Sequence, residues 1–350
     1  MRIGSIWNPV GWLERLYLAA HNHTFQKRLK RQVRFKDRYV LSIGNLSAGG
    51  TGKTPLVFKS AQVGGPDRTL AVLRGYGGEA PAGGLLVSDG VRLLCDADRA
   101  GDEALLLAGQ PGLRVAVGRN RQAVIENYAI DRSLIILDDA FQNPLVHHDH
   151  DLVLIDATVG VDRVRVFPRG RFRDTFEALE RADTVLLTRV NQTQSDILSD
   201  LYSEIEQFLP RKNIFESVHQ FVGLEPHTRA RRVAAFCGIG NPGAFFHALE
   251  REGYRLEARQ KFPDHHRYKV EQLQKMIHRG PERIPWITTE KDWVRIKFSR
   301  SLQLIPELEK RLHVMRMQVR ILHGREEEFF KRILGKYYRS ESRRNQTGGQ

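Results

Sequence analysis

The chain has 350 residues, of which 41% are hydrophobic and 9% aromatic. That is enough apolar material for two ordinary domains or one large one, and it excludes a disordered, collagen-like or coiled-coil fibre. Two cysteines, Cys95 and Cys237, exclude a disulfide-rich scaffold and a four-cysteine zinc site, and are expected to be ordinary packed residues. A formal net charge of +14 points to an anionic partner, whether nucleic acid, an acidic membrane or a phosphorylated substrate, without choosing among them.

No stretch reaches the roughly 18 apolar residues of a membrane span. Residues 3–20 are interrupted by Asn8, Pro9, Glu14 and Arg15 and make no secretory signal, so a cytoplasmic protein is expected. Within residues 1–38, Trp7, Trp12, Leu13, Leu16 and Tyr17 recur at helical spacing ahead of a Lys/Arg run from Lys27 to Arg38. Nine basic residues against two acidic ones put half of the net charge there. Such a segment reads as an amphipathic helix with a solvated basic face packed on the core, or as a membrane-surface helix, and the two can coexist.

Residues 39–46 form an apolar strand that runs into a Gly-rich loop and then a helix. Further strands are expected at Thr69–Leu73, 115–117, 134–137, 152–155 and Thr184–Thr188, with helical patterns such as Asp102–Ala108 and 121–129 between them. The alternation predicts an α/β fold, a P-loop NTPase-like parallel sheet flanked by helices. The Gly-rich stretch 79–90 reads as a hairpin or loop. A second, smaller α/β unit is expected from 232, with a strand and then a Gly-rich turn over 233–240, a helix over 242–253, a strand at 287–289 and a helix over 301–313. The expected organisation is an N-terminal surface segment 1–38, a P-loop core 39–209, a linker 210–231 marked by Pro210 and Pro226, a smaller domain 232–340 closing over the site, and a disordered tail 341–350.

Residues Ser47, Ala48, Gly49, Gly50, Thr51, Gly52, Lys53 and Thr54 follow the P-loop pattern, with Ser47 at its first Gly position. The glycines let backbone N–H groups turn toward phosphates, Lys53 can reach the β- and γ-phosphates of a nucleotide, and the Thr54 hydroxyl can ligate Mg²⁺. The GGTGKT core resembles the deviant loop of partitioning-type ATPases, but Ala48 stands where those carry a signature Lys. In LIILDDAFQ (134–142) a buried strand ends in Asp138 and Asp139, either of which can hold the metal, because strand neighbours face opposite ways. TEKD (289–292) lacks the intervening residue of a guanine-recognition box, which favours ATP over GTP. Asp102 opens a predicted helix, where the dipole keeps a carboxylate charged and fit to act as a base. His147, His148 and His150 cluster with Asp149 and Asp151; a solvated loop is preferred there over a metal site.

Together these strings resemble the tetraacyldisaccharide 4′-kinase family, the lipid A 4′-kinases. IGNLSAGGTGKTP (43–55), LRGYGG (73–78), GDEA (101–104), ILDDAFQN (136–143), FPRGRFRD (167–174), FCGIGNPGAFF (236–246), FPDHHRY (262–268) and TTEKDWVR (288–295) occur in the family's order over roughly residues 5–330. Departures at Ala140, Asn143, 160–164, Arg169 and Arg171 leave the nucleotide loop and the acidic pairs intact.

The resemblance implies transfer of the γ-phosphate of ATP, with Mg²⁺, to the 4′-hydroxyl of a tetraacyldisaccharide 1-phosphate, giving lipid IVA. The partners would be that anionic lipid and the cytoplasmic face of the inner membrane, with no nucleic acid. It implies Asp102 as the base, oriented by His265 with His266 as the rival position, and Arg173 as a phosphate or substrate contact; Arg121 is a weaker candidate for that contact. A P-loop ATPase switch or metal-insertion chaperone would have no use for the GDEA and PDHH groups. A nucleic-acid-binding role lacks any of the usual motifs.

Overall fold

The computed structural model of the chain describes residues 9–75, 81–281, 283–298 and 304–347; Trp7, the end of LRGYGG and residues 348–350 lie outside the described residues. In chain order the elements are α1 (Pro9–Leu29), β1 (Tyr39–Asn45), α2 (Lys53–Gly64), β2 (Thr69–Leu73), β3 (Leu85–Ser88), α3 (Ala97–Ala100), α4 (Asp102–Ala108), β4 (Arg114–Val117), α5 (Arg121–Tyr128), β5 (Leu134–Asp138), β6 (His150–Asp156), β7 (Thr184–Thr188) and α6 (Ser195–Ile205). They continue with β8 (Ile214–Glu225), β9 (Arg232–Cys237), α7 (Pro242–Arg251), β10 (Arg255–Lys261), α8 (Val270–Arg279), β11 (Trp286–Thr289), α9 (Glu290–Phe298), α10 (Pro306–Arg311), β12 (Leu312–Ile321) and α11 (Glu326–Thr347).

Among the described residues, all twelve strands join one sheet in the order β10-β9-β11-β12-β8-β7-β6-β1-β5-β2-β4-β3. The pairings are parallel except β3 with β4 and β12 with β8. Every residue of β1, β2, β5 and β7 is buried, as expected of parallel strands covered on both faces. Side chains such as Leu41, Ile43, Leu134 and Ile136 have no solvent exposure, and each contributes about 1.5–3 kcal/mol by leaving water. β1 sits between β5 and β6, so its C-terminal end, where the phosphate loop begins, opens between two strand tips. Ligands of open α/β sheets bind outside the carboxyl ends of the strands, and the predicted site residues gather there.

Four sequence expectations on organisation are corrected. Residues 210–231 are no linker: β8 fills most of the stretch and pairs with β7 on one side and β12 on the other, welding the two halves into one sheet. Pro210 and Pro226 bracket this strand, in which solvent exposure, rather than polarity, alternates from His219 to Glu225. The second unit also ends earlier than 340. The apolar stripe Phe329, Phe330, Ile333, Leu334 and Tyr337 of α11 packs into the core formed by β1, α2 and β5, so the chain returns to the first half. The helix expected over 301–313 is α10 alone within the described residues, because the alternating run from Leu312 leaves it as β12. The tail from 341 is helical as far as Thr347; no Gly or Pro interrupts it before Gly348, and Glu341 pairs with Arg68 at 3.1 Å.

Candidate active site

β1 ends at Asn45, and the chain turns through 46–52 before α2 begins at Lys53. Asn45 donates from Nδ2 to Ser47 O and Thr51 Oγ1, pinning the loop from below. The segment 167–174 lies against the loop's first limb, with Ala48 N donating to Arg171 O and Arg173 N to Leu46 O, each at 2.7 Å. Arg189, at the tip of β7, donates to Gly50 O at 2.6 Å. Gly52 adopts φ +90°, and a Cβ there would stand 2.5 Å from His219 Nε2 of β8, so the position needs glycine for both its torsion and its neighbour. Burial and the nearby Arg189 guanidinium push His219 down to about 4, which keeps the ring neutral.

Lys53 Nζ lies 3.5 Å from Asp139 Oδ1, and Arg173 Nη1 donates to Asp139 Oδ2 at 2.7 Å. Asp139 is thereby held below the usual carboxylate range despite its burial. Asp138, at the end of β5, is the opposite case: it is buried, its Oδ1 has no hydrogen-bond partner, and burial with Glu103 and Asp139 nearby pushes it up to about 7 against the pull of Lys53. Arg121, at the start of α5, is itself buried and donates from Nη2 to the carbonyls of Asp138 (2.6 Å) and Asp139 (3.0 Å). The structure thus brings Lys53, Asp138, Asp139, Arg173 and Arg121 together. Arg121 serves the strand end rather than open solvent.

A second cluster meets this one through α4. Asp102 opens that helix after Gly101, and its Oδ2 lies 2.9 Å from His265 Nδ1. Arg295 of α9 reaches the same oxygen, from Nε at 2.8 Å and Nη2 at 2.6 Å. Asp102 is partly desolvated, which would raise its pKa, yet these two partners hold it below the ordinary value. Next to it, Glu103 accepts from Lys291 Nζ at 2.8 Å. The loop carrying His265 is fixed by Asp292, which is fully buried and accepts from Gly238 N, Tyr268 O–H and Thr289 O–H. The rival His266 turns away, stacking on Phe262 and facing Gln272 at 3.0 Å. His148 and His150 are engaged by Asp151 and Thr184, and no metal-holding group of three or more His, Cys, Asp or Glu occurs among the described residues.

Sequence reasoning missed Asn45, Arg189, His219, Lys291 and Arg295 as parts of the site. The TTEKDWVR string contained two of them, and the i, i+3 spacing of Asp292 and Arg295 was the available signal; a buried pair of that kind forms here at 3.0 Å. Nothing in the run around His219 marks it.

A parallel sheet with a glycine-rich loop feeding a helix, a lysine on that helix and acids at the neighbouring strand tip defines a P-loop phosphotransferase. A family model described as tetraacyldisaccharide-1-P 4′-kinase matches residues 3–338. The tetraacyldisaccharide 4′-kinase of Desulfotalea psychrophila is 36% identical, covering 87% of this chain and 92% of its own; that of Chlorobium limicola is 32% identical, covering 93% and 95%. LpxK from Aquifex aeolicus, solved in complex with ATP, superposes with a TM-score of 0.71 at 25% identity, covering 95% of this chain and 97% of its own. The chain belongs to the tetraacyldisaccharide-1-phosphate 4′-kinase family, the kinases of lipid A biosynthesis.

Proposed function

We propose that this chain transfers the γ-phosphate of ATP to the 4′-hydroxyl of a tetraacyldisaccharide 1-phosphate through the two clusters described above. The observation that carries the reading is their junction: α4, which opens with Asp102, packs on α2, which opens with Lys53, through Leu56, Ala104 and Leu105, so a candidate base stands beside the candidate phosphate site. The loop N–H groups and Lys53 bind the triphosphate, and the α2 N-terminus adds its dipole. The donor set fits Mg²⁺: a buried Asp138 oxygen without a hydrogen-bond partner stands at the end of β5, and the buried Thr54 supplies a hydroxyl at the start of α2. Thr54 and Asp138 would hold the ion, with Asp139 beside them. When bound, it would neutralise charge on the phosphates. Asp139 keeps Lys53 and Arg173 in place, so that Arg173 presents its guanidinium to a phosphate group.

Asp102 accepts the proton of the sugar hydroxyl, whose own pKa lies far above neutrality, and His265 orients it. Asp102→Ala is expected to abolish turnover while ATP still binds, and His265→Ala to be milder. The test is incubation with labelled ATP and acylated disaccharide 1-phosphate, followed by thin-layer chromatography. Label in the lipid with the natural chain and none with Asp102→Ala is the expected result. More than about a tenth of natural kcat in the variant would refute the base, given the roughly 10²- to 10⁴-fold effect of such catalysis.

Peripheral association with an anionic membrane surface, the cytoplasmic face of the inner membrane, is part of the same proposal. No helix among the described residues is long and apolar enough to cross a membrane. On α1, Trp12, Leu13 and Leu16 are exposed, while Tyr17 and Phe25 face the protein. Phe167, exposed and 5.3 Å from the Tyr17 ring, extends the apolar edge to the loop that carries Arg173. Clustered Lys and Arg beside such a surface contribute about 1 kcal/mol each.

A further inference from the structure

Arg295 is buried, and its guanidinium is divided between the two halves of the sheet. One side holds Asp102 of α4, in the first half; the other donates from Nη1 to Gly238 O at 2.6 Å and Asp292 Oδ1 at 3.0 Å, in the second. Among the described residues, the contacts to the Asp102 carboxylate, a hydrogen bond from Arg295 Nε, an ion pair with Arg295 Nη2 and a hydrogen bond shared with His265 Nδ1, all fall on Oδ2. Arg295 Nη2 also lies 3.3 Å from His265 Nδ1, so the three side chains form one triangle.

We infer that Arg295 is a positioning residue of the phosphoryl transfer, anchoring Asp102 through Oδ2 so that Oδ1 is the atom presented to the acceptor hydroxyl. The inference rests on the reading of Asp102 as the base. In the step, the hydroxyl O–H bond breaks and the proton passes to Asp102 Oδ1. The freed electron pair forms the bond to the γ-phosphorus, and the bond from that phosphorus to the β–γ bridging oxygen breaks, its pair leaving on ADP. A planar fork suits this task, because it can hold a carboxylate oxygen, a carbonyl and a second carboxylate in one plane, which a lysine ammonium cannot.

The charge around Asp102 gives a readout that a purely structural role would not move. Facing it are Arg295 and Asp292 from α9 and His265 from the loop after β10, with Asp264 4.0 Å beyond His265 Nε2. Glu103 on its own helix is held by Lys291. On the elements packed against α4, Lys53 and Lys59 of α2 are held by Asp139 and Glu326, Arg114 of β4 by Asp131, and Arg99 stands on α3. Burial pushes Asp102 up and Arg295 is the larger of the two influences holding it down. Without Arg295, Asp102 takes its proton at higher pH, and the acidic limb of kcat moves upward into the measurable range.

The experiment compares pH profiles of kcat and KM for the natural chain, Arg295→Met, Arg295→Lys, Asp102→Ala and the double variant Asp102→Ala/Arg295→Met, with folding followed by thermal melting. Arg295→Met is expected to lower kcat roughly 10²-fold, the scale of an ångström-level misplacement, with the KM for ATP nearly unchanged and the acidic limb raised. Arg295→Lys restores the limb but only part of kcat, and the double variant is no slower than Asp102→Ala. An unshifted limb in Arg295→Met, or a further loss on the Asp102→Ala background, would show a scaffold role only and overturn the inference. If Arg295→Met does not fold, Arg295→Lys decides: natural kcat there refutes the need for the fork, and a reduced kcat at unchanged ATP KM supports it. Natural turnover in Asp102→Ala would instead remove the base on which the inference stands.

Discussion

The phosphate loop and the Asp102–His265–Arg295 cluster are built in opposite ways. The loop is local: eight consecutive residues from Ser47 after β1 to Thr54 in the first turn of α2 supply the turn, the lysine and the hydroxyl, and Gly49 and Gly52 supply the positive torsions. The cluster is assembled from three segments separated by 163 residues between Asp102 and His265 and by 30 more to Arg295. A local site exists wherever its strand and helix fold. An assembled one exists only when the two halves of the sheet are held in register, and β8 holds them. The loop is also less self-sufficient than its sequence implies, since segment 167–174, Arg189 and His219 all brace it from outside.

The sharpest break of the local side is Lys53→Ala, expected to cut turnover about 10³-fold or more by removing a cation from where the transferring group is most exposed. Near-natural single-turnover rates in that variant would sink the nucleotide assignment. Arg173→Ala probes a contact made through the fold, the ion pair to Asp139, and is expected to lower kcat about 10- to 100-fold with an unchanged circular dichroism spectrum. A fully active protein would place Arg173 outside the chemistry.

The membrane proposal is sharpened by the double variant Trp12→Ser/Leu16→Ser. It should weaken sedimentation with anionic liposomes about tenfold, the order expected when two half-buried apolar side chains lose their place in an interface. Soluble-substrate turnover should be retained; unchanged binding at low salt would count against the surface role of α1.

The smallest expected effect concerns the brace behind the loop. His219 takes a proton near pH 6.5 when unfolded but only near 4 when folded, so stability falls as pH drops from 6.5 toward 4, where the unfolded chain binds more protons. His219→Gln should flatten that loss, seen as a smaller gap between melting temperatures at pH 7.5 and pH 5.5, leaving the part due to His150, which burial also lowers to about 4. An unaltered gap would mean that His219 is not held neutral against Gly52.

By itself, the sequence determined the features that are local in the chain. The run YVLSIGN, the glycines and the lysine specify strand, loop and helix because φ preferences, strand burial and the helix N-terminus act over a few residues. The acids at 138 and 139 were legible for the same reason, as polar residues ending an apolar strand. Only the tertiary structure decided that Asp139 is the carboxylate gripped by Lys53 and Arg173 while Asp138 keeps a bare buried oxygen. It also decided that His265 rather than His266 faces Asp102, and that the stretch between Pro210 and Pro226 is the strand joining both halves. The direction of a side chain at a strand tip, and the partner of a ring or guanidinium more than a hundred residues away, depend on sheet register and helix docking, to which local propensity is blind.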